Sequence, residues 1–226
     1  HIDGFFQQYF DFPAACCRPV DSSVRPEHLA FAEPLACALH AVNRARVAAG
    51  DRVLVTGCGP MGLLTIIAAA AKGADVTCVD LRQEAIDAGL RIGAKTGKRI
   101  GAFAAADIDQ AFDAAIEASG AVPAFNQALE AVKKGGTVSI LSNLQPGASG
   151  IDIHRIMLKE LMVVGSFQFH REFDEALAVI AQGTFDFDAL IARQFGLSQT
   201  RDAFALALSG TAVGKVQIVG ARAPCP

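Results

Sequence analysis

The sequence predicts an α/β protein built on a doubly wound parallel sheet. Two observations carry this. Short, nearly unbroken apolar runs recur through the middle of the chain, each followed by a helical pattern, as in a sheet buried on both faces. One of these units, Arg52–Asp80, has a glycine-rich turn between its strand and its helix. At 226 residues and 52% apolar, the chain is long enough to bury such a core.

Taken in order, Gly4–Phe12 alternates aromatic and polar residues and reads as a strand, and 13–26 reads as irregular. Glu27–Arg44 reads as one or two helices broken at Glu33-Pro34, because proline interrupts a helix interior. Ala48–Asp51 turns into a strand at Val53–Val55. A helix is predicted over Met61–Lys72 and a strand over Val76–Val79. Glu84–Ile92 is an amphipathic helix stopped by Gly93. Strands follow at Lys98–Ile100 and Phe112–Ile116. Glu117–Gly120 is an exit loop, Val122–Val132 a helix, and Gly135-Gly136 a turn into a strand at Thr137–Leu141. Ile153–Leu161 is helical and Met162–Gly165 is a sixth strand. Beyond Ser166 the alternation gives way to helices at Glu172–Gln182 and Thr200–Leu208, with Thr200 as N-cap, and a last strand at Lys215–Val219.

Composition excludes several classes. A net charge of −3 gives no footprint for nucleic acid or a polybasic membrane contact. The mostly apolar run Leu63–Ala71 is short of the ~20 residues needed to cross a bilayer. No secretory signal opens the chain. The six cysteines contain no C-x-x-C, and Cys16 and Cys17 are adjacent, so they read as reduced thiols of a cytoplasmic protein without a zinc framework of their own.

The chemistry concentrates at the glycine-rich unit. Gly57-Cys58-Gly59-Pro60-Met61-Gly62 follows a strand and opens a helix, and Asp80 ends the next strand eighteen residues after Gly62. In that context the spacing is a dinucleotide-binding fingerprint. Gly57 permits the tight turn, Gly59 lets backbone approach a pyrophosphate, and Gly62 lets the helix pack closely. Pro60 fits the first helical turn, where its missing N–H costs no bond. The helix N-terminus offers unpaired N–H groups to phosphate. Asp80 is placed to accept ribose hydroxyls, which favours NAD over a cofactor with a 2′-phosphate. A methyltransferase layout has a similar acid in the same place and stays open at this point. Ser119 and Gly120 leave the fourth strand beside the crevice where such sheets bind ligands.

Further stretches resemble a known family. They are His1-Ile2-Asp3-Gly4, Phe31-Ala32-Glu33-Pro34-Leu35-Ala36, Leu39-His40-Ala41-Val42, the Val53–Gly62 segment, Glu117-Ala118-Ser119-Gly120, Lys159-Glu160-Leu161, Gly165-Ser166-Phe167 and Gly214-Lys215-Val216. Together the sequence resembles the zinc-type medium-chain dehydrogenases of the sorbitol dehydrogenase group, nearest the branch acting on L-idonate. The resemblance implies a longer parent with an N-terminal GroES-like barrel and a catalytic zinc, whose motifs do not occur here. It then implies a division into a catalytic-domain piece at 1–40, a Rossmann domain at 41–168 and a returning catalytic-domain segment at 169–226.

The same resemblance implies site roles. Glu33 would stand beside the catalytic zinc; locally, an acid there also complements a helix N-terminus. His40 would face the cofactor cleft. Arg82 would bracket the adenine, and Leu141, Ser142 and Asn143 would meet the nicotinamide through backbone groups. Ser166 and Phe167 leave the sixth strand toward the same cofactor, followed by Gln168 where the family carries Arg. Lys215 matches a basic position near the pyrophosphate. The implied activity is hydride transfer between NAD and a secondary alcohol of a polyol or sugar acid, with zinc in the parent and a homodimer or homotetramer paired through the sixth strand. A nucleotide-binding module without catalysis also fits the sequence.

Overall fold

The structure, a computed structural model, describes residues 6, 7, 9, 11–100 and 110–220. Six strands form one parallel sheet: β1 (Arg52–Thr56), β2 (Asp75–Asp80), β3 (Thr96–Arg99), β4 (Phe112–Glu117), β5 (Val132–Ile140) and β6 (Met162–Gly165). Their order is β3-β2-β1-β4-β5-β6. The chain winds outward from β1 to β3, returns, and winds outward again from β4 to β6. The reversal lies between β1 and β4, whose partners include Val55↔Ile116 and Thr56↔Glu117. Diverging loops at this switch point open a crevice at the carboxyl ends of the strands.

Alternation along β1 shows why the strands read as continuous apolar runs. Val53 and Val55 enter the core on one face, Leu54 the core on the other, and all three are fully buried. The first face carries α2 (Ala32–Arg44), α3 (Pro60–Ala71), α4 (Gln83–Arg91) and α7 (Glu172–Ala181). The second carries α5 (Val122–Ala131), with the short α6 (Ile153–Leu158) beside it. Helix α3 is buried from Gly62 through Ala69, because it lies between the sheet and α2 and its small residues admit both. A second, two-stranded parallel sheet joins β7 (Ile191–Gly196) to β8 (Lys215–Val219), with α8 (Thr200–Leu208) against it. Among the described residues no helix is long and apolar enough to cross a membrane.

Several expectations are corrected. Pro34 does not break the helix: it lies in the first turn of α2, where a missing N–H is harmless, and the break from α1 (Pro26–Leu29) falls at Ala30–Phe31. Gly135-Gly136 is no turn ahead of β5 but lies inside it, with Gly135 at φ +71° and a register shift opposite Phe112/Ala114. Thr200 is the first residue of α8 rather than its cap; its hydroxyl donates to Leu197 O at 2.6 Å. Strand β7 was absent from the sequence reading, because its exposed Ala192-Arg193-Gln194 interrupts the apolar pattern. Helix α6 stops at Leu158, since Glu160 takes φ +52°. The expected strand at Gly4–Phe12 lies partly outside the described residues; Phe6, Gln7, Tyr9, Asp11 and Phe12 belong to no strand. Helix α2 runs unbroken through residues 40 and 41, between which the resemblance sets a segment boundary.

The end of α6 explains Lys159-Glu160-Leu161. Lys159 turns inward, is 7% exposed, and its ammonium donates to Leu129 O (3.2 Å), Glu130 O (2.5 Å) and Val132 O (2.7 Å). Those carbonyls end α5, so a buried cation caps the negative end of that helix. Lys159→Met strips the cap and leaves buried carbonyls unpaired. It should lower unfolding stability by roughly 2–3 kcal/mol, read by chemical denaturation.

Candidate functional site

The turn from β1 into α3 is determined by what cannot carry a side chain. Gly57 has φ +92°, and a Cβ there would lie 2.8 Å from Ser119 Cα. A Cβ on Gly62 would lie 1.8 Å from Gly57 O. Around Gly59 nothing lies within 4 Å of the same atom, so the turn is open to a ligand on that side. Gly59 is the N-cap of α3 and gives no side-chain cap; Pro60 follows at N1. Met61 is half-buried and packs toward the core under α2.

Asp80 locks this turn from the neighbouring strand. Its Oδ2 accepts Cys58 N–H at 2.7 Å, and its Oδ1 accepts Arg82 N–H at 2.9 Å. The Arg82 guanidinium donates to Gly210 O at 3.3 Å and keeps its Nε 3.8 Å from Asp80. Gly57, Gly59, Asp80, Arg82 and Ser119 line one cleft of about 480 Å³, walled on its apolar sides by Leu81, Ile100 and Pro123. That volume and mixed lining suit a small-molecule site. Beneath the loop Cys58 is fully buried; its hydrogen bond with Cys78 and its burial push the thiol far up, so it stays protonated and packs as an apolar group.

The exits of β4, β5 and β6 stand at the same carboxyl edge of the sheet; Ala118 and Ser119 line the cleft, and Leu141, Ser142, Asn143, Ser166 and Phe167 do not. Glu117, the last residue of β4, is fully buried. Its Oε1 accepts Ser119 N–H (2.7 Å), Ser119 Oγ–H (2.5 Å) and Gly120 N–H (3.0 Å), and its Oε2 accepts the Ser142 hydroxyl. Its backbone carbonyl accepts Leu141 N–H (2.9 Å) and Ser142 N–H (3.1 Å). Asn143 is exposed beside them. At the end of β6 the Ser166 hydroxyl is buried with no partner among the described residues, and the Phe167 ring is 83% exposed. Sequence reasoning placed Glu117 only in an exit loop. The available signal was an acid closing the apolar run Ala114-Ala115-Ile116 in a sheet buried on both faces, where a carboxylate must be held by donors.

A third cluster lies along α2. Glu33, Cys37 and His40, continued by Asn43 and Arg44, form the open side of a helix whose other residues are buried. Cys37 Sγ–H donates to Glu33 Oε1 at 3.5 Å; burial, then the Glu33 charge, raise that thiol to about 11. His40 Nδ1 lies 2.9 Å from Glu172 Oε1, which also accepts Asn43 Nδ2–H at 3.2 Å. Glu172 Oε2 accepts His170 N–H (2.8 Å) and Arg171 N–H (3.0 Å) at the start of α7. Among the described residues no three His, Cys, Asp or Glu side chains are gathered so as to hold a metal ion. Glu33 is therefore not part of a self-sufficient zinc site. Lys215 opens β8 in the second sheet and does not line the 480 Å³ cleft.

Comparison with known proteins agrees with this geometry. A family model for zinc-binding dehydrogenases matches residues 60–182, more than half of the chain. Sorbitol dehydrogenase of Bombyx mori is 29% identical over 216 residues, covering 91% of this chain and 62% of that protein. L-idonate 5-dehydrogenase (NAD(P)(+)) of Escherichia coli is 29% identical over 226 residues, covering 97% and 65%. The crystal structure of L-idonate 5-dehydrogenase from E. coli superposes with a TM-score of 0.90 at 28% identity, covering 97% of this chain and 64% of that one. A structure from Sinorhizobium meliloti described as a zinc-binding dehydrogenase and bound to NADP gives 0.79 at 29% identity, covering 89% and 61%. The chain thus spans between 61% and 65% of the length of these relatives.

The α2–α7 junction has a pH signature. Burial alone would raise the Glu172 carboxyl, but the donors from His40, His170 N–H and Asn43 outweigh it and bring it down to about 2 from an ordinary 4.5. A depressed folded-state value contributes stability that is complete above about 4.5 and is lost as pH falls toward 2. Glu172→Gln should therefore melt below the wild type at pH 7. Thermal scans across pH 7 to 2 should show that difference shrinking below pH 4.5.

Proposed function

This chain belongs to the zinc-binding dehydrogenase family, and from that premise we propose that it is the NAD-binding part of an enzyme that moves hydride between NAD and a secondary alcohol of a polyol or sugar acid. The observation that carries the reading is the turn at Gly57–Gly62, open only at Gly59 and pinned by Asp80 at the end of β2. Its residues fit a dinucleotide. The uncapped N-terminus of α3 supplies N–H groups and positive potential for a pyrophosphate. Asp80, oriented by two backbone N–H groups, accepts ribose hydroxyls and sets a fixed negative charge against a 2′-phosphate. Leu81, Ile100 and Pro123 pack an adenine, with Arg82 at its edge. Leu141, Ser142, Asn143 and Ser166, whose hydroxyl is unpartnered, hold the nicotinamide end, and Phe167 screens it from water. Bound NAD supplies the hydride chemistry; the chain binds, orients and shields it.

Glu33 we propose as one zinc ligand in a whole protein whose other ligands lie outside the described residues. L-idonate is the leading substrate within the polyol and sugar-acid class, on the strength of the relative that carries that name. The alternative is a nucleotide-binding module that turns nothing over. We keep the division at 1–40, 41–168 and 169–226, with α2 bridging the first boundary, and assign Lys215 to the pyrophosphate side through the returning segment. Five described cysteines are free thiols, which supports a cytoplasmic setting. Ile153 (70% exposed), Met157 (60%) and Met162 (38%) flank the open edge of β6, and we propose that a second copy pairs there. Light scattering at micromolar concentration should give a dimer or tetramer; a strictly monomeric mass sinks the pairing.

Calorimetric titration tests the cofactor reading. The chain should bind NADH more tightly than NADPH, and Asp80→Ala should weaken NADH at least about tenfold and narrow the preference. Gly59→Ala should leave the melting temperature unchanged, since its Cβ meets no atom within 4 Å, and yet abolish binding. Equal affinity of wild type and both variants would refute the assignment.

A further inference from the structure

We propose that Glu117 is a positioning residue for the nicotinamide half of the dinucleotide, acting as a buried latch between the exits of β4 and β5. The inference rests on the reading of the cleft as an NAD site. In a doubly wound sheet each half takes one mononucleotide, so β1–β3 serve the adenosine half and β4–β6 the other. The wall of the second half is made of loop segments in contact. Gly57 approaches Ser119 so closely that a Cβ would lie 2.8 Å from its Cα; a Cβ on Gly120 would lie 3.5 Å from Asn143 O and 3.9 Å from Ser142 Cβ.

Glu117 ties that wall together from behind. One carboxylate oxygen takes three donors from Ser119 and Gly120, the other takes the Ser142 hydroxyl, and the backbone carbonyl takes two N–H groups from Leu141 and Ser142. The side chain is fully buried, and among the described residues no cation pairs with it. A carboxylate so placed is held by neutral donors alone, and its loss leaves several buried N–H and O–H groups unsatisfied. It sets the spacing of the two loops before any ligand arrives, and does not itself touch the cofactor.

The effect should therefore divide between the two halves of the ligand. ADP probes the adenosine half and NADH the whole. Calorimetric titration of the chain with both ligands, beside thermal melts, compares wild type with Glu117→Ala, Glu117→Gln and Ser142→Ala. Glu117→Ala should weaken NADH about tenfold, the size of one lost charge-assisted hydrogen bond, while ADP changes less than about twofold. Ser142→Ala should do the same to a smaller extent and keeps the test intact if Glu117→Ala does not fold. Glu117→Gln should recover most of the NADH affinity. Its amide oxygen keeps the Ser119 and Gly120 donors, and its NH₂ meets a Ser142 hydroxyl that rotates to accept.

Parallel weakening of ADP and NADH would make Glu117 merely structural and overturn the proposal, as would unchanged NADH binding in both Glu117→Ala and Ser142→Ala. Wild-type chain that binds ADP but gains nothing from the nicotinamide half overturns the latch and leaves the adenosine site standing. Wild-type chain that binds neither ligand overturns the NAD reading, and the latch with it.

Discussion

The arrangement depends on one close approach. Gly57 and Gly62 meet across the β1–α3 turn with no room for a methyl group between them. This contact brings the start of α3 down onto the end of β1, and the rest of the cleft is assembled around it. Asp80 reaches the loop at Cys58 N–H because the turn is that tight, and Ser119 closes the other side of Gly57. Covered by α2, helix α3 buries Leu63, Leu64, Ile66 and Ile67 beside the small Ala68 and Ala69.

A second theme is the treatment of buried charge. Among the described residues Glu117, Lys159 and Glu172 are the buried carboxylate and ammonium side chains, and each meets backbone groups at a helix or strand end. Glu172 takes two N–H groups where α7 begins. Lys159 takes the carbonyls that end α5, and Glu117 takes N–H groups just ahead of the same helix. Helix α5 therefore has a buried acid before its positive end and a buried base at its negative end, the arrangement its dipole favours. Convergent hydrogen bonds offset the desolvation of each charge.

The open stripe on α2 adjoins these features. Glu33, Cys37 and His40 share the helix side that the core does not use. His40 is drawn to Glu172 across the α2–α7 junction. That junction joins residues far apart in sequence, beside the carboxyl end of β6, where Arg44 donates to Gly165 O at 3.1 Å. The chain thus presents a carboxylate and a histidine along one helix and a glycine turn at the adjacent strand ends.

The sheet and the turn were legible in the chain itself. Apolar runs with helices between them made six strands and their parallel sense legible, and Met162–Gly165 and Lys215–Val219 coincide with β6 and β8. Gly57, Gly59, Gly62 and Asp80 were legible because their roles are local: a turn, a helix start and a strand end at set spacing. Only the tertiary structure decided the roles of Glu117, Lys159 and Glu172. Their partners lie up to 132 residues away, as with His40 and Glu172, and no spacing along the chain announces such a bond. Strand β7 was hidden for the same reason, since its exposed middle acquires strand character only through pairing with β8. Short-range sterics and periodicity can be read from neighbouring residues. The satisfaction of a buried charge depends also on which distant groups the fold brings to it: Ser142 to Glu117, His40 and Asn43 to Glu172, and the α5 carbonyls to Lys159.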